Sequence, residues 1–526
     1  MRFHYIVGSA DERGGGGVNV DVVVVGAGSS GVTVGCRLSE DPGRSVLVLE
    51  AGLGTPLFSD ADLLSNVSFA TSHRDWALRA QVSAGRELDY PQGKFVGGGS
   101  SVNGALAFRG APEDFEGWVG RGNPSWGWPP MLEAYRRLEH DLDFGPTSVV
   151  HGDDGPVPIV RWHEGELVDI QRAFREACLA QGYPWTDDHN DPTSTGIGSF
   201  PMNRAEGRRM STALTYLQAA QDRPNLHLWS GAQVHRVVLS GSRATGVILD
   251  RGGNLEEVTA GEVVLCAGSI QTPALLWRSG IGPPEELAAL GIETTVANRA
   301  VGANLTDHPG VFYFVAPGAR RAPFSEPQYQ LGARYTSTDA TDGNDMFLSM
   351  MNYWDLAGSP DFQAMLGVDS VVVFTCGVHQ PESRGRVWLT SADPAVAPRI
   401  ELNLLDDPRD VGRLVEGVRR CAALARHDTM ADFVGGPLLF GGDLADDEAV
   451  ASYVRAVVAP WYHPVGTCRM GPDDNADAVV GDDLRVHGID DLRVADASIM
   501  PRITRAPTNL TAIAIGERAA SFIAAG

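Results

Sequence analysis

The clearest pattern of apolar and polar positions lies in residues 20–52, and it predicts a strand, a helix and a second strand. Residues 22–25 are four valines in a row, which is typical of a strand buried in a parallel sheet. A helix is predicted over residues 32–38, and a second apolar run over residues 45–49 ends at Glu50. This alternation indicates an α/β protein.

The turn between the first strand and the helix carries the spacing of a dinucleotide site. Gly26 permits a tight turn, Gly28 lets the backbone approach a pyrophosphate, and Gly31 lets the helix pack closely on the strand. Glu50 stands nineteen residues after Gly31, where an acidic side chain accepts hydrogen bonds from a ribose. Together these features predict a bound dinucleotide rather than a glycine-rich turn without a ligand.

A second glycine-rich stretch covers residues 91–104. The segment from Gly97 to Ser101 exposes backbone N–H groups that suit a phosphate or a flat ring, although ordinary loop chemistry is an equal alternative. Residues 105–108 after it are compatible with a helix. Further along, residues 262–269 predict a buried strand that leads into a helix over 271–277, a further βα turn that could lie along the same cofactor.

The remaining pattern indicates antiparallel structure and a second domain. Residues 225–238 alternate and residues 244–249 follow after a turn, as in antiparallel strands. Between residues 306 and 460, strand-like runs at 370–375 and 386–390 accompany a long helix over 408–425, capped by Asp406 and Asp407. This region predicts a mixed domain built on an antiparallel sheet.

Composition narrows the classes of partner. The chain has 66 acidic and 42 basic residues, a formal net charge of −24, which disfavours nucleic acid and anionic membranes. Its six cysteines form no C-x-x-C pair, so they predict neither a disulfide framework nor a metal site and fit a reducing compartment. No apolar run reaches the length that spans a bilayer. Residues 1–19 are predicted to be a flexible leader without a signal peptide, so a cytoplasmic location is expected.

Three segments near the C-terminus carry candidate chemistry. His463 stands in a loop punctuated by glycine and proline, Asp496 follows a short apolar run, and Asn509 opens an amphipathic helix. A helix start offers free N–H groups and a positive dipole. A lone histidine is more often structural than catalytic, so this setting alone does not assign His463 a role.

These segments together resemble the glucose–methanol–choline (GMC) family of flavin oxidoreductases from residue 20 to residue 525. Within it, local stretches at residues 97–103 and 403–410 are similar to the hydroxymethylfurfural, aryl-alcohol and choline oxidases. The family's signatures occur in its order at residues 25–31 with 49–52, 93–103, 268–283, 301–309, and around His463, Asp496 and Asn509.

The resemblance implies the fold and the cofactor. We expect a Rossmann-like FAD-binding domain in residues 20–155, 195–305 and 461–526, and a discontinuous α+β substrate domain on an antiparallel sheet in residues 156–194 and 306–460. The cofactor implied is FAD. Some relatives attach it covalently through a histidine at the position of Val102, so linkage at that position is excluded here.

The resemblance also assigns roles to residues. His463 and Asn509 are implied to be catalytic, and Trp461 and Tyr462 to line the substrate pocket. The cofactor-binding residues implied are Gly26, Gly28, Ser29, Ser30, Gly31, Glu50, Ala51, Gly97, Gly98, Ser100, Asn103, Gly104, Val234, Ala267, Gly268, Asp496, Ala497, Asn509, Leu510 and Thr511.

The chemistry of alcohol oxidation needs such a pair. A neutral imidazole accepts the hydroxyl proton near pH 7, and a second hydrogen-bonding group orients the oxygen so that the C–H bond points at flavin N5. The expected reaction is oxidation of a primary, activated alcohol to an aldehyde, with oxygen or another acceptor such as a quinone. A hydroxynitrile-lyase-type reaction on the same fold is the alternative from another class. The motifs name neither the alcohol nor the oligomeric state.

Overall fold

The computed structural model describes residues 18–54, 75–338, 340 and 343–526 of the 526-residue chain. Most of the predicted leader therefore lies outside the described residues, and Val18 and Asn19 begin the first strand. The α-helices are α1 (Ser29–Leu38), α2 (Pro112–Val119), α3 (Trp128–Leu138), α4 (Asp169–Ala180), α5 (Gln218–Ala220), α6 (Gly268–Arg278), α7 (Pro284–Ala289), α8 (Pro360–Leu366), α9 (Pro408–Ala425), α10 (Asp447–Val457) and α11 (Asn509–Ala524).

The strands are β1 (Val18–Val25), β2 (Val46–Glu50), β3 (Arg79–Ser83), β4 (Arg86–Asp89), β5 (Glu139–Asp141), β6 (Val157–Ile159), β7 (Gly196–Ser199), β8 (Arg204–Ala205), β9 (Arg208–Arg209), β10 (Leu226–Ser230), β11 (Ala232–Ser240), β12 (Arg243–Arg251), β13 (Asn254–Leu265), β14 (Ile281–Gly282), β15 (Val296–Ala297), β16 (Pro309–Pro317), β17 (Leu331–Tyr335), β18 (Met346–Asp355), β19 (Ser370–Val378), β20 (Arg386–Trp388), β21 (Arg399–Glu401), β22 (Val434–Pro437), β23 (Ala459–Pro460) and β24 (Leu492–Val494).

The first large sheet holds the nucleotide-binding motif. Its strand order is β10-β2-β1-β13-β12-β11, with β24 pairing with β13. The four strands β10, β2, β1 and β13 run parallel, as the apolar runs predict, whereas β12 and β11 are antiparallel. The parallel strands end on one edge, where the glycine turn between β1 and α1 lies. The predicted α/β class is confirmed.

The last helix of the chain completes this unit. A Cβ placed on Gly516 of α11 would lie 2.7 Å from the carbonyl oxygen of Ser30 in α1, so the two helices touch backbone to backbone. Arg37 of α1 and the buried carboxylate of Glu517 form an ion pair of 2.9 Å between the same helices. The first and last helices are therefore packed as one layer over the sheet.

The second large sheet is antiparallel, as predicted. Its order is β22-β16-β19-β18-β17-β7, and β23 also pairs with β16. Helix α9 packs on β19 and β16. Asp407 caps that helix by accepting a hydrogen bond from the backbone N–H of Arg409, and Pro408 occupies its first position, so its predicted bounds are confirmed.

Two predicted elements are wrong in detail. Residues 225–238 divide into β10, which pairs in parallel with β2, and β11, which pairs antiparallel with β12. Gly231, with φ of +66°, separates them in a conformation that favours glycine. Residues 105–108 form no helix, because Ala105 has φ of +56° at the first position.

Two of the segments predicted to form the FAD-binding domain, residues 20–155 and 195–305, also contribute strands to other sheets. Strand β7 pairs with β17 of the second large sheet, and β3 joins β4 and β21 in a small sheet. In the part of the chain that the structure describes, no helix has both the length and the apolar character required to cross a bilayer.

Candidate active site

A cavity of about 180 Å³ lies at the carboxyl edge of the parallel strands. Its lining includes twelve of the residues predicted to bind the cofactor. They are Gly26, Gly28, Ser29, Ser30, Glu50, Ala51, Gly98, Val234, Ala267, Gly268, Asp496 and Ala497. The residues come from six separate parts of the sequence, and the sheet edge brings them together.

The three glycines of the first turn differ in what an added side chain would meet. A Cβ on Gly26 would lie 2.5 Å from the carbonyl oxygen of Cys266, and one on Gly31 would lie 1.9 Å from the carbonyl oxygen of Gly26. Gly28 has φ of −80°, and a Cβ there would meet no protein atom within 4 Å. Only Gly28 thus leaves open space, and that space belongs to the cavity.

Glu50 ends β2 with its carboxylate inside the protein. One oxygen accepts a hydrogen bond from the N–H of Ala27 at 3.0 Å and the other from the N–H of Gly52 at 2.8 Å. Burial raises the pKa of this carboxyl group. Each oxygen retains a lone pair, so the group fits the hydroxyls of a ribose.

Asp496 holds the second βα turn of the cavity. Its carboxylate accepts hydrogen bonds from the N–H of Gly268 at 2.8 Å and the hydroxyl of Thr272 at 2.6 Å. A third bond comes from the N–H of Ser498 at 2.8 Å. The start of α6 and the turn after β24 are therefore fixed to each other beside the cavity.

The other predicted cofactor residues lie outside the cavity lining: Gly31, Gly97, Ser100, Asn103, Gly104, Asn509, Leu510 and Thr511. Ser100 donates a hydrogen bond to the carbonyl of Gly97, and Asn103 accepts one from Ala105. The hydroxyl of Thr511 lies 2.8 Å from that of Tyr135. These side chains support the loops around the cavity.

The loop that carries His463 is fixed by one carboxylate. Asp307 accepts a hydrogen bond from the backbone N–H of His463 at 2.9 Å and another from the Tyr90 hydroxyl at 2.5 Å. Burial raises the pKa of Asp307 to about 7. Tyr462, just before His463, has φ of +62°, and its ring lies 5.6 Å from that of Tyr90. The loop that carries His463 thus has a defined backbone.

His308 determines which ring nitrogen of His463 carries a proton. Nε2 of His308 lies 3.0 Å from the carbonyl oxygen of Thr504, which only accepts, so this nitrogen is protonated. Burial lowers the pKa of His308 to about 4, so the ring is neutral near pH 7 and its Nδ1 is an acceptor.

Nδ1 of His463 lies 2.9 Å from Nδ1 of His308 and therefore donates. Nε2 of His463 is left with a free lone pair. Burial, together with the neighbouring His308, lowers the pKa of His463 well below its usual range. The ring is consequently a neutral base at pH 7.

Asn509 stands at the start of α11, and its Oδ1 accepts a hydrogen bond of 2.6 Å from the hydroxyl of Ser29. In the described part of the chain no hydrogen bond joins Asn509 to His463, and the amide nitrogen of Asn509 has no hydrogen-bond partner. The starts of α1 and α11 meet at this contact.

Sequence reasoning gives no role to Asp307, His308 or Arg278. The first two lie in a segment that is recognisable only as a family signature, and a buried acid beside a histidine is the available signal. Arg278 ends α6 and lines the cavity with its Nε buried and, among the described residues, unpartnered. Burial lowers its pKa to about 10. In the sequence, only its position as a basic residue in an apolar helix could have indicated a role for Arg278.

A cluster of metal-ligand types lies elsewhere, at Glu139, Asp141 and His151. Arg109 forms an ion pair with Glu139, and Arg161 forms one with Asp141. Hydrogen bonds to carboxylates raise the pKa of His151 to about 10 despite its burial, so the ring is charged. Asp188 pairs with both His151 and Arg161, so three carboxylates face three cations, and the cluster lies outside the cofactor cavity.

Comparison with known proteins places this site in a family. The GMC oxidoreductase family matches residues 20–310 and, in its C-terminal part, residues 381–516. A 5-(hydroxymethyl)furfural oxidase of Methylovorus sp. (strain MP688) is 35% identical, over 96% of this chain and 98% of that protein. An oxygen-dependent choline dehydrogenase of Photobacterium profundum is 34% identical, over 96% of this chain and 92% of that protein.

Among solved structures, pyridoxine 4-oxidase from Mesorbium loti has a TM-score of 0.87 and 30% identity, covering 97% of this chain and all of that one. These matches define the class of protein as a flavin-dependent alcohol oxidoreductase. The chain belongs to the GMC oxidoreductase family, and its cofactor is FAD.

The residues around the cavity fit FAD. The open space at Gly28, the free lone pairs of Glu50 and the turn held by Asp496 suit a pyrophosphate, a ribose and the flavin side. These residues would hold the cofactor, and Val102 has no nucleophilic atom, so no covalent bond forms at that position.

We therefore expect heat or acid to release FAD into the supernatant, which absorbance and fluorescence of the clarified solution would show. Yellow colour that stays with the precipitated protein would contradict this expectation, since it would reveal linkage through another residue.

Proposed function

We propose that the protein oxidises a primary aromatic or furanic alcohol to its aldehyde, with His463 as the base and oxygen as the electron acceptor. The observation that carries the proposal is the hydrogen-bond chain from Thr504 through His308 to His463. It gives a neutral imidazole whose Nε2 is free to accept a proton. Two relatives named for hydroxymethylfurfural and pyridoxine oxidation support this class of substrate.

Each residue has a defined task in the reaction. Bound FAD supplies the hydride acceptor at its N5 atom. Nε2 of His463 takes the hydroxyl proton of the alcohol, and His308 stabilises the resulting imidazolium by accepting the bond from its Nδ1–H. The amide nitrogen of Asn509 is available to donate a hydrogen bond to the alcohol oxygen and orient it.

The test is anaerobic bleaching of the flavin. We expect 5-hydroxymethylfurfural or benzyl alcohol, added without oxygen, to remove the yellow colour and yield one aldehyde per flavin. A lyase would cleave a cyanohydrin and leave the flavin yellow with every alcohol, so that result would refute the proposal.

The depressed pKa of His463 predicts the pH dependence of catalysis. The active form is the neutral imidazole. Because the pKa of His463 lies well below the usual value of about 6.5, the ring stays neutral as the pH falls past 6.5. We expect kcat/KM to stay constant as the pH falls through 6.5 and to decline only at lower pH. A fit of kcat/KM against pH checks this. Since Asp307 in the same loop has a pKa of about 7, the fit is repeated with Asp307→Asn, and an acid limb at or above 6.5 that persists there would show that His463 is not the depressed group.

The acceptor is tested by the products formed in air. We expect hydrogen peroxide to appear in step with aldehyde, and the names of two relatives, an oxidase and an oxygen-dependent dehydrogenase, support oxygen. Reduced enzyme that stays colourless in air but regains its colour with a quinone would assign the protein as a dehydrogenase instead.

We also infer a cytoplasmic location. All six cysteines are buried and unpaired, which supports a reducing compartment.

A further inference from the structure

Two glycines face each other across the second large sheet and make room for one indole. Gly310 of β16 pairs directly with Gly377 of β19. A Cβ on Gly310 would lie 2.0 Å from Nε1 of Trp461, and one on Gly377 would lie 2.4 Å from Cη2 of the same side chain. Neither glycine has a positive φ, so the backbone tolerates other residues there and only the indole excludes them. The pair lies under both rings of Trp461.

Three further rings enclose the indole edge to face. The Phe347 ring lies 5.7 Å away at 85°, the His379 ring 6.0 Å away at 82°, and the His308 ring 6.4 Å away at 75°. Such arrangements are favourable for aromatic pairs. The glycine pair under one face and these three rings around it hold the indole in one position. The other face of the indole points away from the sheet.

The indole is also tied to the catalytic loop. The backbone N–H of Trp461 donates a hydrogen bond of 3.1 Å to the carbonyl of His308, and His463 follows two residues later. Trp461 and His463 are both only partly buried, so the two side chains of this loop keep part of their surface open.

Uncharged side chains lie next to the glycine pair on the same face of the sheet. Since alternate residues of a strand share a face, the next positions on that face are Phe312, Ser349 and Thr375. The hydroxyls of Ser349 and Thr375 bond to each other at 2.7 Å. Arg334 of β17, a buried cation, pairs with Phe347 in the same row, so these described neighbours disfavour a cationic group.

We propose that Trp461 determines substrate specificity: its outer face is the platform on which an uncharged aromatic ring of the alcohol stacks, and the Gly310–Gly377 pair sets the position of that platform. The inference rests on the proposed function and deepens it, because it selects planar aromatic alcohols over saturated ones. The base His463 and the stacking residue Trp461 then belong to one loop.

The first experiment compares benzyl alcohol with cyclohexylmethanol, which has the same ring size but no flat face. We expect the wild-type protein to prefer benzyl alcohol in kcat/KM by about tenfold. Trp461→Ala should raise the KM for benzyl alcohol but not that for cyclohexylmethanol and so diminish the preference, whereas Trp461→Phe should retain it. An undiminished preference in Trp461→Ala would overturn the proposal.

The second experiment is a double-mutant cycle between Gly310 and Trp461. Gly310→Ala alone should displace the indole and lower kcat/KM for benzyl alcohol about tenfold, with a lower melting temperature. In the Trp461→Ala background it should change neither quantity. Gly412→Ala is the control, because a Cβ there meets no atom within 4 Å. Additive effects would overturn the role of the glycine pair.

The two proposals fail in different ways. If no alcohol bleaches the flavin in any variant, the proposed function is wrong and the stacking role falls with it. Coupling between Gly310 and Trp461 in melting temperature would then assign the indole a packing role only. If alcohols do bleach the flavin but Trp461→Ala keeps the full preference for benzyl alcohol, only the specificity proposal is overturned.

Discussion

Replacing His463 with alanine is expected to lower kcat by about 10²–10⁴-fold, because the hydroxyl proton of the alcohol loses its acceptor. FAD should remain bound, since the side chain of His463 lies on the loop fixed by Asp307 and not in the lining of the cofactor cavity. The measurements are flavin content from the visible spectrum and kcat from steady-state turnover.

A matched control is His140→Ala, which removes an exposed histidine from β5. This variant should have the wild-type kcat. Added imidazole should restore part of the activity of His463→Ala, because a free base can enter the space left by the side chain. A near wild-type kcat in the His463→Ala variant would show that another residue is the base.

Replacing Gly28 with valine is expected to yield folded protein without flavin. Gly28 has φ of −80° and a Cβ there meets no protein atom within 4 Å, so the fold accepts a side chain. That side chain would occupy the space where the pyrophosphate binds. Flavin per protein and the far-UV spectrum measure the two effects separately.

Gly165→Val is the control for a valine at an open glycine outside the cavity, and it should purify yellow. Gly31→Val should instead fail to fold, because its Cβ would lie 1.9 Å from the carbonyl of Gly26. A fully yellow Gly28→Val protein would show that the pyrophosphate binds elsewhere.

The sequence predicts elements well where the information is local. The βαβ unit from β1 to β2 follows from one apolar run, three glycines and a terminal acid, and all of these lie within about thirty residues. Helix α9 has its predicted bounds because Asp407 and Pro408 mark its start and the apolar spacing continues to its end. Both predictions needed no knowledge of distant contacts.

The parts that escape prediction depend on distant contacts. His308 fixes the tautomer of His463 across 155 positions of sequence, and no pattern in either segment reveals that bond. Likewise, Gly310 and Gly377 appear as ordinary strand glycines until Trp461 is placed above them. The direction of β10 also required a partner strand, since alternation alone does not distinguish parallel from antiparallel pairing.

The packing of α11 on α1 has a consequence for protein synthesis. The ribosome makes α1 about 480 residues before its partner surface at Gly516 and Glu517. At about 5–20 residues per second, the nucleotide-binding unit stays open on the order of half a minute to two minutes. A nascent chain therefore exposes the apolar face of its first helix throughout that time. The nucleotide-binding unit can therefore close only after residues 509–524 have been made, and chaperone supply during expression should govern the yield of yellow protein.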